Sequence, residues 1–350
     1  MNKIILRSII NNFVVLIIGS SVLMHAQDRD TSSLRSSSIH EVLLSINQTM
    51  RDNLYDASIV PSTEYQTIEK GLLELSLSSS DMESFVKGFN DLWARGPFSH
   101  VRLVRARMSA EMTAHYLDTM SVPGNGASLR WMDDVAVLNV STMMGRNTID
   151  QITEAFKAVT DRKARALIID LRKNSGGAFA VRPLVGHLLQ KDLEAGVFLS
   201  RRWTEQHTAP PDDAAVRSLR AWDGWSIRAF WNDVHANGVL RIVFPPLKPH
   251  FDGPVYVLTS RKTASAAELA ADALLASGRA VVIGERTSGQ MLSQKMYDIP
   301  HGLQLSLPVA DYYAKHSGRI EGRGITPSVI VPSDSAMAKT LELIKKRSEK

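Results

Sequence analysis

The spacing of apolar residues divides the chain into a first part with helical periodicity and a second part in which strands and helices alternate. From Ile39 to Tyr116, apolar residues recur three or four positions apart, which predicts several amphipathic helices. Ser80-Asp81 is typical of a helix start. Gly96-Pro97 ends the helical pattern, and the segment VRLVRA (101–106) predicts a short strand.

Beyond the turn residues PGNGAS (123–128), short strand-like runs alternate with helical ones. A helix TIDQITEAFKAV (148–159) is expected to open at Thr148, and VRPLVGHLLQ (181–190) predicts a second helix. The other predicted elements are strands at DVAVLNV, ALIIDL, GVLRIVF, PVYVLTS and AVVIGE, a helix at AELAADALLAS, two or three strands within 307–331, and an amphipathic tail helix at 336–350. This alternation indicates an α/β architecture. The irregular segment 204–235, which contains Pro and Trp, is expected to form a lid or an insertion.

The first 26 residues have the layout of a secretory signal peptide. Lys3 and Arg7 precede the apolar run Phe13–Met24, and Ala26 is a small residue at a plausible cleavage point. An uncleaved N-terminal anchor is the alternative, because Met24 is poorly suited to the position three residues before cleavage. We expect a periplasmic or extracellular protein with no stable membrane span after signal cleavage. A Ser-rich linker is predicted at 27–39.

Composition narrows the classes of function. The formal charge of +5 comes from 41 basic and 36 acidic residues that are mostly interleaved, which argues against nucleic-acid binding. The chain has no cysteine, so a buried core and not a disulfide framework must hold it together. Neither an H-E-x-x-H motif nor a Cys/His spacing suggests a metal, and no cofactor is implied.

Two strand-to-helix turns carry candidate chemistry. After the strand 167–171, Gly176-Gly177 allows a tight turn whose exposed backbone N–H groups could bind an oxyanion. An ordinary strand-to-helix turn would have the same sequence pattern. After the strand 255–259, Ser265 lies in the first turn of an Ala-rich helix. A serine there is commonly a helix cap, a role that Thr263 would fill equally well, or it is a nucleophile beside the positive end of the helix.

Four motifs in order resolve this choice. IIDLRKNSGG, VYVLTSRKTASAAE, GRAVVIGERTSG and GRIEGRGITPSVIVP resemble the successive signatures of the C-terminal-processing (tail-specific) serine protease family, over about residues 130–333. The resemblance implies a ClpP/crotonase-like α/β core of stacked β-sheet and helices at 119–335, after an N-terminal helical domain at 40–118. It also implies that Ser265 is the nucleophile and that the backbone N–H groups of Gly177 and Ala266 form the oxyanion hole.

The sequence departs from the family at the general base. Many members carry a lysine in a TFGKG-like motif, where this chain has Gln290, whose neutral amide cannot accept a proton. A branch without a PDZ module, similar to the tricorn protease core and to interphotoreceptor retinoid-binding protein modules, also lacks that lysine. In tricorn, a histidine preceded by a serine is the base, and a glutamate near a G-x-x-P segment completes the relay. Here Ser99-His100 and Glu321 occupy the matching positions.

Each of these residues also has an ordinary structural interpretation. His100 would be a surface histidine at a strand start, Ser99 would satisfy a backbone group, and Glu321 would pair with Arg319 or Arg323.

The resemblance implies an exported serine peptidase that acts on polypeptide tails by a Ser-His-Glu mechanism. The alternative is a catalytically inactive member that binds a hydrophobic ligand or docks a protein. The sequence predicts no oligomeric state.

Overall fold

The computed structural model describes residues 37–349, so the predicted signal peptide and residues 27–36 of the predicted linker lie outside the described residues. Helix α1 covers residues 37–53. Residues 37–39, the last three of the linker predicted at 27–39, are helical. Ile39 is buried in the core, which holds this first turn of the helix in place. The next helices are α2 (Thr63–Ser78), α3 (Met82–Trp93) and, after the first strand, α4 (Ala110–Thr119). As predicted, Asp81 caps α3: its carboxylate accepts the Ser84 N–H at 2.7 Å.

Two sheets form the rest of the framework. The first, here called the antiparallel sheet, contains β1 (Arg102–Arg105), β5 (Leu193–Ser200), β6 (Val239–Phe244), β9 (Ser293–Ile299), β10 (Leu303–Ala314) and β11 (Gly318–Arg319). Its main order is β1-β10-β5-β6, and β9 and β11 also pair with β10. The long strand β10 pairs with β1 from the N-terminal part of the chain and with β5 and β9 from the later part, so both parts contribute to one sheet.

The second sheet, here called the mixed sheet, contains β2 (Ala127–Met132), β3 (Val135–Val140), β4 (Ala166–Asp170), β7 (Val255–Thr259), β8 (Ala280–Gly284) and β12 (Val329–Ile330). The order is β12-β8-β7-β4-β3-β2, parallel except between β2 and β3. One face packs with α5 (Arg146–Asp161), α6 (Val181–Gly186) and α10 (Ala266–Ala276), and the other with α11 (Ala336–Ser348). The predicted α/β architecture and tail helix are confirmed.

The N-terminal helices share a core with the antiparallel sheet. Phe85 and Phe89 of α3 lie in one buried cluster with Leu103 of β1 and with Leu303 and Leu305 of β10. The segment 40–118, predicted as a helical domain, therefore also contains a strand, as VRLVRA indicated, and its apolar faces are buried against β9 and β10. This packing places the start of β1, and hence His100, beside the C-terminal strands.

Two predicted helix bounds are wrong for local reasons. Helix α5 begins at Arg146, after Gly145 at φ 90°, and not at Thr148. Thr148 is fully buried, and its hydroxyl donates to the Met144 carbonyl at 2.6 Å. Helix α6 ends at Gly186, four residues early, where the Gly186 carbonyl accepts the N–H of Leu247 from a distant segment at 2.9 Å.

The predicted lid or insertion at 204–235 follows the short helix α7 (Arg201–Thr204) and contains α8 (Asp213–Ser218) and nearly all of α9 (Ile227–Ala236). None of the helices between residues 37 and 349 combines the length and the apolar character needed to cross a lipid bilayer.

Candidate active site

Ser265 lies between β7 and α10 in a strained backbone conformation. Its φ of 54° and ψ of −124° lie outside the extended region that helix-capping residues normally occupy. Thr263, the other candidate cap, is engaged in the turn itself, where its hydroxyl donates to the Leu171 carbonyl at 2.9 Å. Strain of this kind persists where surrounding contacts enforce it, and it concentrates at functional sites. The geometry therefore favours a positioned nucleophile over an ordinary cap.

Glu268 enforces this conformation. Its fully buried carboxylate accepts four hydrogen bonds, from the N–H groups of Ser265 (3.0 Å), Gly289 (2.7 Å) and Gln290 (3.0 Å) and from the Thr287 hydroxyl (2.5 Å). Burial raises the pKa of Glu268, and these hydrogen bonds oppose that shift. Glu268 thus ties the start of α10 to the loop 287–290. The sequence alone places Glu268 in the first turn of the helix but does not reveal its partners at 287–290, which lie about twenty residues further along the chain.

The turn after β4 packs directly against Ser265. Gly176 has a φ of 102°, and a Cβ built on it would lie 2.6 Å from Ser265 Cβ, so only glycine fits there. The buried Asn174 fixes this approach: its side chain accepts the Gly176 N–H at 2.8 Å, and its carbonyl accepts the Ala264 N–H at 3.1 Å. The β4 turn and the start of α10 are therefore held as one unit.

The two N–H groups expected to form an oxyanion hole remain available. Gly177 forms a parallel bridge with Met143, but that bridge uses the N–H of Ala178 and the carbonyl of Gly176. Within residues 37–349, neither the Gly177 N–H nor the Ala266 N–H has a hydrogen-bond acceptor. Both residues line the same cavity as Ser265. Such donors can stabilise a developing negative charge without reorganisation.

Ser99, His100 and Glu321 form a connected set. The Ser99 hydroxyl lies 2.5 Å from His100 Nδ1, and the Ser99 backbone N–H donates to one Glu321 oxygen at 3.0 Å. The other Glu321 oxygen accepts the Met291 N–H at 2.6 Å. The connection from Glu321 to His100 thus passes through the main chain and the side chain of Ser99.

Glu321 is buried and forms no ion pair within residues 37–349, so the surface ion-pair interpretation of this residue is wrong. Arg319, one of its expected partners, instead pairs with Asp311 at 2.6 Å.

The environment keeps His100 neutral near pH 7. Burial lowers its pKa, and the charge of Glu321 acts in the opposite direction. His100 also has a positive φ, of 68°. Like Ser265, it therefore has a backbone φ that is uncommon for residues other than glycine. A neutral, partly buried imidazole held at Nδ1 leaves its other ring nitrogen for proton transfer.

Ser265, His100, Gly177 and Ala266 line one cavity of about 440 Å³, here called the aromatic cavity. Its walls are mostly apolar and include the aromatic residues Phe179, Phe198, Trp222, Trp225, Phe230 and Trp231. Four of these six come from the segment 204–235, so the predicted lid or insertion forms a wall of the cavity. Asp, Glu, Lys and Arg are absent from the described residues that line it.

Neither Gln290, at the position of the family lysine, nor Lys295, the nearest lysine after it in the sequence, lines this cavity. Gln290 is exposed, and only its backbone N–H is held at the site, by Glu268. Lys295 is half-buried on β9, with Nζ 5.5 Å from the centre of the Tyr297 ring, and it is not among the lining residues. The part of the chain that the structure describes contains no cluster of three or more His, Asp or Glu residues suited to a metal ion.

Comparisons with known proteins agree with this architecture. The chain is 27% identical over 188 residues to a carboxyl-terminal-processing protease of Picosynechococcus, a match that covers 54% of this chain and 37% of the relative. It therefore spans little more than a third of that relative. Among solved structures, a Parabacteroides merdae protein matches with a TM-score of 0.60 at 15% identity, over 88% of this chain and 96% of the other.

The tricorn protease matches with a TM-score of 0.53 at 11% identity, over 89% of this chain and 37% of tricorn. At such identities the structural matches establish the fold alone. The sequence profile of peptidase family S41 matches residues 134–331, which is more than half of the chain. The chain therefore belongs to peptidase family S41.

Proposed function

We propose that this chain is a serine peptidase that hydrolyses peptide bonds with Ser265 as nucleophile and His100 as general base. One observation carries the proposal: Ser265, His100 and the unengaged N–H groups of Gly177 and Ala266 all border the same cavity. A nucleophile, a base and two oxyanion donors around one space are the parts that acyl transfer requires.

In the proposed reaction, Ser265 Oγ attacks the peptide carbonyl carbon and its proton passes to the free ring nitrogen of His100. The resulting oxyanion accepts hydrogen bonds from Gly177 and Ala266. The C–N bond then breaks, and His100 returns the proton to the leaving amine. Water, activated by the same imidazole, hydrolyses the acyl-enzyme. Glu321, through Ser99, orients His100 and stabilises its cationic form.

We propose unstructured polypeptide tails as substrates, in keeping with the name of the Picosynechococcus relative, a carboxyl-terminal-processing protease. The aromatic cavity adjoins the nucleophile and lacks charged walls, so it suits an apolar side chain on the acyl side of the cleaved bond. Export is part of the proposal, and it rests on the layout of residues 1–26 alone.

A second candidate function, binding of a hydrophobic ligand without catalysis, is favoured by the size and aromatic lining of the same cavity. The strained backbone at Ser265 and His100 and the hydrogen-bonded set at Glu321 favour the peptidase, since passive binding requires neither.

A fluorophosphonate probe separates the two functions. If Ser265 is activated, Oγ displaces fluoride from phosphorus, and the intact protein is expected to label with one probe per chain. Ser265→Ala should not label, whereas Ser288→Ala, another partly buried serine in the same region, should label like the parent. Intact-mass measurement reads the result. A folded parent protein that takes up no probe would overturn the peptidase and leave ligand binding as the function.

The pH dependence of kcat/KM tests the proposed base. His100 must be neutral to accept a proton, and burial lowers its pKa, so the acid limb is expected to have its midpoint below 6.5. Because the charge of Glu321 raises the pKa of His100, Glu321→Gln should move that midpoint to still lower pH. Glu83→Gln, an exposed acid on α3, should not move it. A midpoint that rises in Glu321→Gln contradicts the assigned roles.

A further inference from the structure

A second cavity, of about 430 Å³, is also lined by His100. This polar cavity is lined by Arg102, Gln290, Gln294 and Ser306 together with His100 and a few apolar side chains. His100, Gln294 and Met296 line both cavities. His100 therefore borders both an aromatic cavity, which Ser265 also lines, and a polar cavity, which Ser265 does not line.

Among the described residues that line the polar cavity, Arg102 and His100 are the ionisable ones, and Arg102 is the one that carries a permanent charge. Side chains alternate along a strand, so Arg102 and Val104 share the face of β1 that borders the cavity, and His100 and Val101, just before the strand, line it as well. Leu103, on the opposite face, is fully buried in the N-terminal core. Arg102 lies opposite Ser306 in the register of β1 and β10, so the sheet holds its backbone rigidly.

The guanidinium of Arg102 has no ion-pair or hydrogen-bond partner within residues 37–349. By contrast, Arg105 on the same strand donates to the His301 carbonyl at 3.2 Å, and Arg319 pairs with Asp311. Arg102 is exposed, so it is solvated and accessible to a ligand in the polar cavity. A planar guanidinium with free donors is suited to binding a carboxylate through two hydrogen bonds.

The order of the reaction assigns the two cavities to the two sides of the cleaved bond. The oxyanion donors Gly177 and Ala266 lie in the aromatic cavity, so the acyl half of the substrate belongs there. The leaving amine must meet His100 to take its proton, and the polar cavity is the second space that His100 lines. This assignment rests on the proposed function.

We propose that the polar cavity receives the leaving-group side of the peptide and that Arg102 binds a carboxylate there as a specificity-determining residue. The carboxylate has two chemical sources: the α-carboxylate of a chain end shortly after the cleaved bond, or the side chain of an Asp or Glu residue.

Three peptides that are identical on the acyl side, with Phe before the cleaved bond, test the proposal. The first has two neutral residues after that bond and a free C-terminal carboxylate. The second is its C-terminal amide, and the third is an amide with Glu as the last residue. Values of kcat/KM are measured for the parent protein and for Arg102→Gln. Arg107→Gln, which removes an exposed charge that lines neither cavity, is the matched control.

The parent protein is expected to favour the first or the third peptide over the second by about two- to five-fold, as an exposed charged contact allows. A preference for the first peptide identifies a chain end, and a preference for the third identifies an acidic side chain. Arg102→Gln should bring the ratio close to one, and Arg107→Gln should retain it. Equal rates in the parent protein, or a ratio that survives in Arg102→Gln, overturns the proposal.

Binding to Ser265→Ala distinguishes failure of this inference from failure of the proposed function. Dissociation constants of the same peptides are measured with Ser265→Ala and with the double variant Ser265→Ala/Arg102→Gln. The carboxylate preference is expected in the first and lost in the second, whether or not the parent protein hydrolyses peptides. If no peptide is hydrolysed and no fluorophosphonate label is taken up, the peptidase is wrong, and the Kd ratios still decide the role of Arg102.

Discussion

Replacing His100 by alanine is expected to lower kcat/KM for a peptide by about 10⁴- to 10⁶-fold, because a nucleophile and its base act as a unit and removing the base leaves the nucleophile inactive. The Ser265 hydroxyl is a weak nucleophile unless a neighbouring group takes its proton. Among the described residues that line the aromatic cavity, His100 is the only histidine, and Asp, Glu and Lys are absent. No second base is therefore available to replace it there. Steady-state hydrolysis of a fluorogenic peptide measures the loss.

Two further variants make this result specific. His115→Ala removes an exposed histidine from α4 and is expected to keep the parent rate. Gln290→Ala alters the position at which many relatives carry the lysine, and it should cost less than about ten-fold, since only the backbone N–H of Gln290 bonds to Glu268. If Gln290→Ala were as inactive as His100→Ala, or if His100→Ala kept most of its activity, the base would have been misassigned.

Much of the fold follows from periodicity, because the relevant signals are local. The strands β3, β4, β7 and β8 are nearly continuous apolar runs, as expected for parallel strands covered on both faces. The capping of α3 by Asp81 is likewise decided within four residues. By contrast, the start of α5 depends on Gly145, whose φ of 90° has no signal in the hydrophobic pattern.

The candidate site was only partly predictable. Ser265 and His100 were found through motifs, and the structure brings both to the aromatic cavity. Three of the four hydrogen bonds to Glu268 were missed because their donors come from residues 287–290, about twenty positions further along the chain. The aromatic wall was missed because no local pattern shows that α9 and the residues before it pack beside Phe179 and Phe198 around one cavity, although Ile227, Phe230, Trp231 and Val234 do have helical spacing. Tertiary contacts, not local propensity, decide both features.

Replacing Glu268 by glutamine is expected to lower the free energy of unfolding by about 2–4 kcal/mol, because buried donors lose their acceptor. The carboxylate accepts two hydrogen bonds at each oxygen. Glutamine is nearly the same shape, but whichever way its amide turns, the NH₂ group faces at least one backbone N–H that then has no acceptor: Gly289 on one side, Ser265 and Gln290 on the other. The lost hydrogen bonds are those that hold Ser265 at its strained φ, so the catalytic rate should fall as well. Urea denaturation and peptide hydrolysis measure the two effects.

Asp272→Asn is the matched control for Glu268→Gln, since Asp272 is buried on the same helix one turn further along. Its side chain accepts from the Ser317 hydroxyl, and an amide oxygen can replace that acceptor, so a loss of about 1 kcal/mol is expected with the peptidase rate retained. If the two variants lost equal stability and equal activity, general burial on α10 would account for both. If Glu268→Gln lost stability alone, Glu268 would support the fold without positioning Ser265. Loss of both properties in Glu268→Gln only is the result that the four-bond geometry predicts.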